Sequence, residues 1–200
     1  MARLSRSALT RRAAAVRLVA LDVDGVLTDG RLYYGADGEA LKAFDVRDGL
    51  GIRLLRDAGI DVAIVTARSS PIVATRAREL GIERVLQGQD DKFAGLQRLM
   101  HESGVREEEC AYMGDDWPDL PVLGVVGFSA TVADAPEEVR RRVHWVAPSP
   151  GGRGAVRDLA RVVLRAQGRL DEMLQAALRP AGAGFANKTA GKPASGAVRG

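Results

Sequence analysis

The sequence predicts an α/β fold of Rossmann-like type, a parallel sheet with helices on both faces. Three observations predict it. Short apolar runs alternate along the chain with stretches of helical periodicity. The runs are continuous rather than alternating, as strands buried on both faces are. Asp22, Asp24, Thr66 and Asp115 all stand just past the ends of such runs, so they share one edge of the sheet. Open α/β sheets keep their ligands at that edge.

Each element has its own signal. Leu18–Leu21 is a core strand that ends on Asp22. Residues 31–44 read as two short strand-like runs around Gly35-Ala36-Asp37-Gly38, the signature of a β-hairpin. Asp48 is then the expected N-cap of a helix that carries Ile52, Leu54 and Leu55 and stops at Gly59. Ile60–Val65 is a second buried strand leading into Thr66, followed by a helix from about Pro71 to Leu80 that closes at Gly81. Arg84–Leu86 is a third strand, residues 91–102 a helix, and Ala111–Met113 a fourth strand running into Gly114-Asp115-Asp116. Phe128–Val132 and His144–Val146 complete the sheet, and one long helix is expected from Gly154 to Leu178.

A chain of 200 residues fits one such domain with a proper core. The expected organisation is a disordered arm over 1–16, one folded α/β domain over 17–179 with the hairpin inserted at 31–44, and a disordered Gly-, Ala- and Lys-rich tail over 180–200. The formal charge of +3 does not point to nucleic acid. Eight of the basic residues, Arg3, Arg6, Arg11, Arg12, Arg17, Lys188, Lys192 and Arg199, lie in acid-free terminal stretches. The body between them has 21 basic against 26 acidic residues, a net charge of −5. A basic binding face on the folded part is therefore not expected. Cys110 is the one cysteine, which excludes an intrachain disulfide and a cysteine zinc site and fits a reducing cytoplasm. His101 and His144 stand far apart without ligand spacing. No apolar run approaches the roughly 20 residues of a membrane span.

Two carboxylates two residues apart, where a buried strand enters the turn at Gly25, are costly there unless a cation or a reaction uses them. Asp22 and Asp115 sharing a hard cation describe a Mg²⁺ site with room for a phosphate. Lys92, at the start of its helix, and the hydroxyl and N–H of Thr66 would offset the phosphate charge. With that charge offset, Asp22 is the candidate nucleophile. Asp24 is the candidate acid and then base for the two halves of a phosphate-ester hydrolysis.

These segments, Asp22-Val-Asp-Gly-Val, Thr66, Lys92 and Gly114-Asp-Asp-Trp-Pro-Asp119, resemble the four motifs of the haloacid-dehalogenase-superfamily phosphatases. Three stretches narrow the resemblance: Asp22–Gly30, Lys42–Arg53, and Gly151-Gly-Arg-Gly-Ala-Val-Arg157 with Ala166–Glu172. They are similar to the phosphatases of 3-deoxy-D-manno-octulosonate (KDO) 8-phosphate, which serve lipopolysaccharide sugar synthesis, over roughly residues 17–172. Ala67 departs from the pattern, where many relatives carry Gly. The resemblance implies a Mg²⁺ site of Asp22, Asp24 and Asp115, and a catalytic set of Asp22, Asp24, Thr66 and Lys92. It also implies a substrate site drawing on Asp24 and Lys92, on Asp45, Val46, Arg47, Asp48, Gly49 and Arg53, and on Arg68 and Arg76 from across a subunit boundary. Arginine suits the bidentate recognition of a sugar-acid carboxylate. Arg68 and Arg76, eight apart, are expected on one helix, near one face.

Spacing bears on how the site is closed. Only 41 residues separate Asp24 from Thr66, and 22 separate Lys92 from Asp115, so neither gap holds a separate cap domain. An open site admits water and selects poorly, and a lone hairpin is too small to be stable. The resemblance implies a homotetramer in which hairpins associate and neighbouring chains complete each site. Two other readings compete. One is a phosphatase of nine-carbon, sialic-type 9-phosphates on the same scaffold. The other is a receiver-type phospho-acceptor module, whose acceptor Asp follows the third strand. Here that strand runs into Gln87-Gly88-Gln89.

Overall fold

The structure, a computed structural model, describes residues 5–179. In chain order the elements are α1 (Arg6–Ala14), β1 (Leu18–Leu21), β2 (Tyr33–Gly35), β3 (Gly38–Leu41), α2 (Val46–Asp57), β4 (Asp61–Val65), α3 (Pro71–Glu79) and β5 (Arg84–Leu86). There follow α4 (Lys92–Ser103), β6 (Cys110–Met113), α5 (Leu120–Leu123), β7 (Phe128–Thr131), α6 (Glu137–Arg140), β8 (Trp145–Val146), α7 (Ala155–Ala166) and α8 (Leu170–Ala177).

Six strands form one parallel sheet in the order β5-β4-β1-β6-β7-β8, and β2 pairs with β3 as a separate antiparallel hairpin. Every residue of β1, β6 and β7 is buried, so both faces of the sheet are covered, as the continuous apolar runs require. The chain moves outward from β1 through β4 to β5, then crosses back to the other side of β1 at β6. This reversal is the topological switch point at which such sheets open a crevice. Leu21 lies opposite Ile64 on one side and Met113 on the other, so the residues after β1, β4 and β6 leave the sheet together.

Two expectations about the helices are corrected. The stretch 1–16 was expected to be disordered, yet Arg6–Ala14 is helical. Ser5 caps it by accepting from the Ala8 N–H at 3.2 Å, Ala13 and Val16 enter the core, and Arg12 donates to the Gly127 carbonyl at 2.8 Å. Ala and Arg favour helix intrinsically, and α1 finds a docking face on α7 that composition does not reveal. The long helix expected over 154–178 is two helices, because Gly168 takes a left-handed conformation (φ +71°) and the chain turns before α8. The tail expected to be disordered over 180–200 lies outside the described residues.

The sheet and its helices are one layered unit, and the one addition at the catalytic edge is the hairpin. Tyr34 Oη accepts from Arg68 at 3.1 Å, Ser70 Oγ is hydrogen-bonded to Glu39, and Lys42 is paired with Glu39 at 2.9 Å and with Asp24. The hairpin is thereby tied to the edge, while Leu32, Tyr33, Tyr34 and Leu41 stay exposed.

Candidate active site

The first acid leaves the sheet without breaking its ladder: the Asp22 N–H donates to the Met113 carbonyl at 3.0 Å. The Val23 carbonyl then accepts from the N–H groups of Leu27 and Thr28 at 2.9 and 3.0 Å, which winds residues 23–28 into a tight turn. Gly25 has φ +90°, and a Cβ there would stand 2.0 Å from Asp115 Oδ2. Glycine is required both for the turn and for the close approach of Asp115.

Three carboxylates converge beside this turn. Asp22, Asp115 and Asp119 each offer an oxygen within 4.8 Å of the others. Lys92, 5% exposed at the first position of α4, sets its Nζ 2.8 Å from Asp22 Oδ2 and 2.8 Å from Asp119 Oδ1. Asp119 was not predicted as a site residue, although it closes the Gly114–Asp119 motif. Its Oδ1 also accepts from Tyr112 Oη at 2.7 Å, and its Oδ2 from the N–H groups of Asp115 and Asp116 at 2.9 and 3.3 Å. Its acceptor positions are filled, so it organises Lys92 and the Asp115 loop and leaves a cation to Asp22 and Asp115.

One ammonium among two buried acids and a half-buried third leaves negative charge uncompensated. Burial, with repulsion from Asp119, pushes the Asp22 carboxyl up to about 6 against the opposing pull of Lys92. Burial, then Asp22 and Asp119, pushes Asp115 up to about 8. An all-oxygen set short of positive charge fits a hard divalent cation such as Mg²⁺, which would supply that charge.

The structure places the other predicted residues less uniformly. Asp24 is at the same edge, but its carboxylate is paired with Lys42 and lies 3.6 Å from Arg68, outside the three-acid cluster. Lys42 carried no expected role, although its side chain is 1% exposed and bridges Asp24 and Glu39. Thr66 is buried at the end of β4, and its N–H is spent on the Leu86 carbonyl at 2.9 Å. Only its hydroxyl can meet a phosphate, contrary to the expectation that both groups would. Arg68 lies in the loop before α3 rather than on the helix with Arg76, because Ser70 caps α3 and Pro71 begins it. The two arginines therefore do not share a helix face.

Around α2 the cap is Asp45, which accepts from the Arg47 N–H at 2.7 Å, and not Asp48 as expected. Asp48 sits within the first turn, 1% exposed, and accepts from the N–H groups of Gly154 and Arg157. Arg47 pairs with Asp45 at 2.6 Å, Arg76 with Glu79 at 3.2 Å, and the Arg76 guanidinium lies 5.8 Å from the Phe44 ring centre. Gly49 is buried beneath Arg76, while Val46 and Arg53 face solvent. A cleft of about 410 Å³ opens beside Asp29, Phe44, Asp45, Arg47 and Arg153. Among the described residues no hydrogen bond or ion pair joins Arg47, Arg53 or Arg76 to the Asp22 cluster.

A six-stranded parallel sheet with an aspartate turn, a strand-end threonine, a buried lysine and an acidic loop at its switch point defines a haloacid dehalogenase-like hydrolase. The family model of that description matches residues 82–157. Within that class, the chain belongs to the 3-deoxy-D-manno-octulosonate 8-phosphate phosphatase family. It is 47% identical over 154 residues to the phosphatase of that name from Haemophilus influenzae, covering 77% of this chain and 86% of the relative. The crystal structure of the Yersinia pestis enzyme aligns with a TM-score of 0.80 at 46% identity, over 82% of this chain and 89% of that one. The Moraxella catarrhalis phosphatase, solved with a magnesium ion, a phosphate ion and KDO, aligns with a TM-score of 0.83 at 40% identity, over 86% and 98% of the two chains.

Proposed function

We propose that this chain is a Mg²⁺-dependent phosphatase that hydrolyses 3-deoxy-D-manno-octulosonate 8-phosphate to the free sugar acid and phosphate, as a cytoplasmic step in making a lipopolysaccharide precursor. The observation that carries the reading is the Asp22–Lys92–Asp115 cluster at the switch point. The relatives act on this substrate by name, and one holds magnesium, phosphate and the sugar product. No described helix is long and apolar enough to cross a membrane.

Asp22 and Asp115 hold the metal. Asp24, expected as a third ligand, would join them only if its carboxylate left Lys42 and Arg68. Bound Mg²⁺ supplies the positive charge that lets phosphate approach these acids. Lys92 fixes the Asp22 carboxylate through Oδ2 and draws off part of the phosphate charge, and the Thr66 hydroxyl donates to a phosphate oxygen. Asp22 attacks phosphorus, the bond from phosphorus to the sugar oxygen breaks, and Asp24, in its protonated form and so released from its pairing with Lys42 and Arg68, delivers a proton to that oxygen. Asp24 then takes a proton from water, which attacks the phosphorus of the aspartyl-phosphate and releases phosphate and the Asp22 carboxylate.

The sugar acid is recognised by the residues around Phe44, namely the segment Asp45–Gly49 and Arg53, with Arg68 and Arg76 serving a neighbouring chain. Within that segment the buried Asp48 supports the site from beneath and does not touch the sugar. The assembly is a homotetramer built on the hairpins. Exposed Leu32, Tyr33, Tyr34 and Leu41, together with Val46 at 78% exposure, support that reading, being more apolar surface than one edge of a solvated monomer should show. Phosphate release from a series of C6 to C9 phosphosugars, with and without Mg²⁺, tests it. Preferred turnover of the eight-carbon acid, abolished by chelation, is expected. A preference for nine-carbon 9-phosphates would move the substrate, and activity after thorough chelation would remove the metal.

A further inference from the structure

The loop Gly151–Gly154 presses on the catalytic turn, and its fixings come from two carboxylates outside the acid cluster. Near one end, the Gly151 N–H donates to Asp134 Oδ1 at 3.0 Å and the Gly152 N–H to the Val26 carbonyl at 2.9 Å. A Cβ on Gly151 would stand 1.8 Å from the Gly25 carbonyl oxygen, and one on Gly152 2.4 Å from the Thr28 carbonyl carbon. Backbone therefore lies directly on backbone. Gly25 touches this loop through its carbonyl and the Asp115 carboxylate through its Cα.

The other end is held by Asp48. Its Oδ2 accepts from the Gly154 N–H at 3.1 Å and its Oδ1 from the Arg157 N–H at 2.9 Å. Helix α7 has Gly154 at its N-cap and so no side-chain cap of its own. The carboxylate of α2 caps it from across the fold, where the unpaired N–H groups of a helix start favour an anion. Arg47 adds a bond to the Arg153 carbonyl at 2.8 Å.

We infer that Asp48 and Asp134 are positioning residues that pin the two ends of the Gly151–Gly154 loop, hold Gly25 against Asp115, and thereby set the spacing of the Asp22–Asp115 cation site. The inference rests on the reading that these two acids hold Mg²⁺. Neither pinning side chain needs to touch metal or substrate. Loosening either end lets the turn drift from Asp115, which weakens the cation without removing a ligand.

The test is Mg²⁺ affinity by isothermal titration calorimetry on the full chain without substrate, alongside thermal melting. Asn at 48 has one acceptor oxygen for two N–H groups, so Asp48→Asn should weaken Mg²⁺ binding about tenfold, at the low end for residues that orient metal ligands. Asp134 is exposed, so Asp134→Ala should fold normally and weaken Mg²⁺, by less than Asp48→Asn does, at an unchanged Tm. Asp134→Asn keeps an acceptor and should restore the affinity, which a general loosening of the fold would not do. Unaltered affinity in Asp48→Asn and Asp134→Ala overturns the inference and leaves the phosphatase reading standing. Should Asp48→Asn fail to fold, Asp134→Ala decides alone by the same criterion. Weakened Mg²⁺ in the variants with no phosphate release from the unmodified protein supports the inference and overturns the substrate reading. No Mg²⁺ heat in the unmodified chain overturns both.

Discussion

The acid cluster and the hairpin with its arginine rim lie at the same end of the sheet and are built in opposite ways. In the cluster, the partners come from within one chain: Lys92 bridges two carboxylates and Asp119 fills its oxygens with Lys92, Tyr112 and two backbone N–H groups. On the hairpin, apolar side chains meet solvent, with Tyr34 at 64% exposure, and on α2 and α3 Arg47 and Arg76 are paired with nearby acids instead of facing the nucleophile. The contrast separates chemistry from selection. One chain gathers the acid cluster with its lysine, whereas the hairpin surface proposed to meet neighbouring chains stays open to solvent.

The largest effect should come from breaking the cluster. Asp22→Asn removes the candidate nucleophile and should lower phosphate release by on the order of 10⁴ or more, with an unchanged circular-dichroism spectrum. Near-normal release would end the claim that the cluster is catalytic. Lys92→Ala should act on two properties at once. Turnover should fall by on the order of 10²–10³ as phosphate charge goes unbalanced. Stability without metal should fall by about 3–5 kcal/mol, because two buried carboxylates lose their cation. Urea unfolding in EDTA measures the second effect, and an unchanged midpoint would contradict the ion-pair account.

The hairpin surface calls for a gentler test. Leu32→Ser with Leu41→Ser leaves Lys42 and Glu39 in place but removes apolar surface. Light scattering should show a smaller particle, and turnover should drop several-fold while Mg²⁺ binding persists. A monomeric unmodified chain with full activity would erase the distinction between the two regions. The smallest effect is a pH dependence confined to the cluster. Asp22 and Asp115 have folded pKa values of about 6 and about 8, raised from 3.8. The metal-free native state therefore binds more protons than the unfolded chain between about pH 4 and 8, and its stability falls as pH rises through that window. Mg²⁺ should raise Tm more at pH 8.5 than at pH 5.5, and an equal increment at both would show that the acids are not strained by one another's charge.

Most of the site was legible because it is local: Asp22 ends a strand with Asp24 in the turn beyond it, Lys92 opens a helix, and Asp115 follows an apolar run. Asp119 was the part missed. Its signal was present, an acid four residues beyond Asp115 in a motif already singled out, but its task depends on Tyr112 and Lys92 arriving from other elements. Lys42 was hidden for a similar reason. Within the hairpin it reads as a solvent lysine, and only the fold of residues 31–44 against the catalytic edge buries it beside Asp24. Asp48 looked like a helix cap and is one, but for α7 rather than its own helix.

By itself the sequence determined the order of the six sheet strands and of the helices between β1 and β6, the shared edge of the acids, the absence of room for a cap domain between Asp24 and Thr66, and the chemistry proposed for two aspartates, a threonine and a lysine there. Those follow from periodicities and turns that act over a few residues. The tertiary structure alone decided which carboxylate takes which proton donor, that α1 docks on α7, that Gly168 divides the last helix, that Asp48 is buried with partners 106 and 109 residues along the chain, and that the hairpin folds back to bury Lys42 against Asp24. Each of these depends on contacts between segments, where burial sets the cost of an unpaired charge. That cost is invisible until the segments meet.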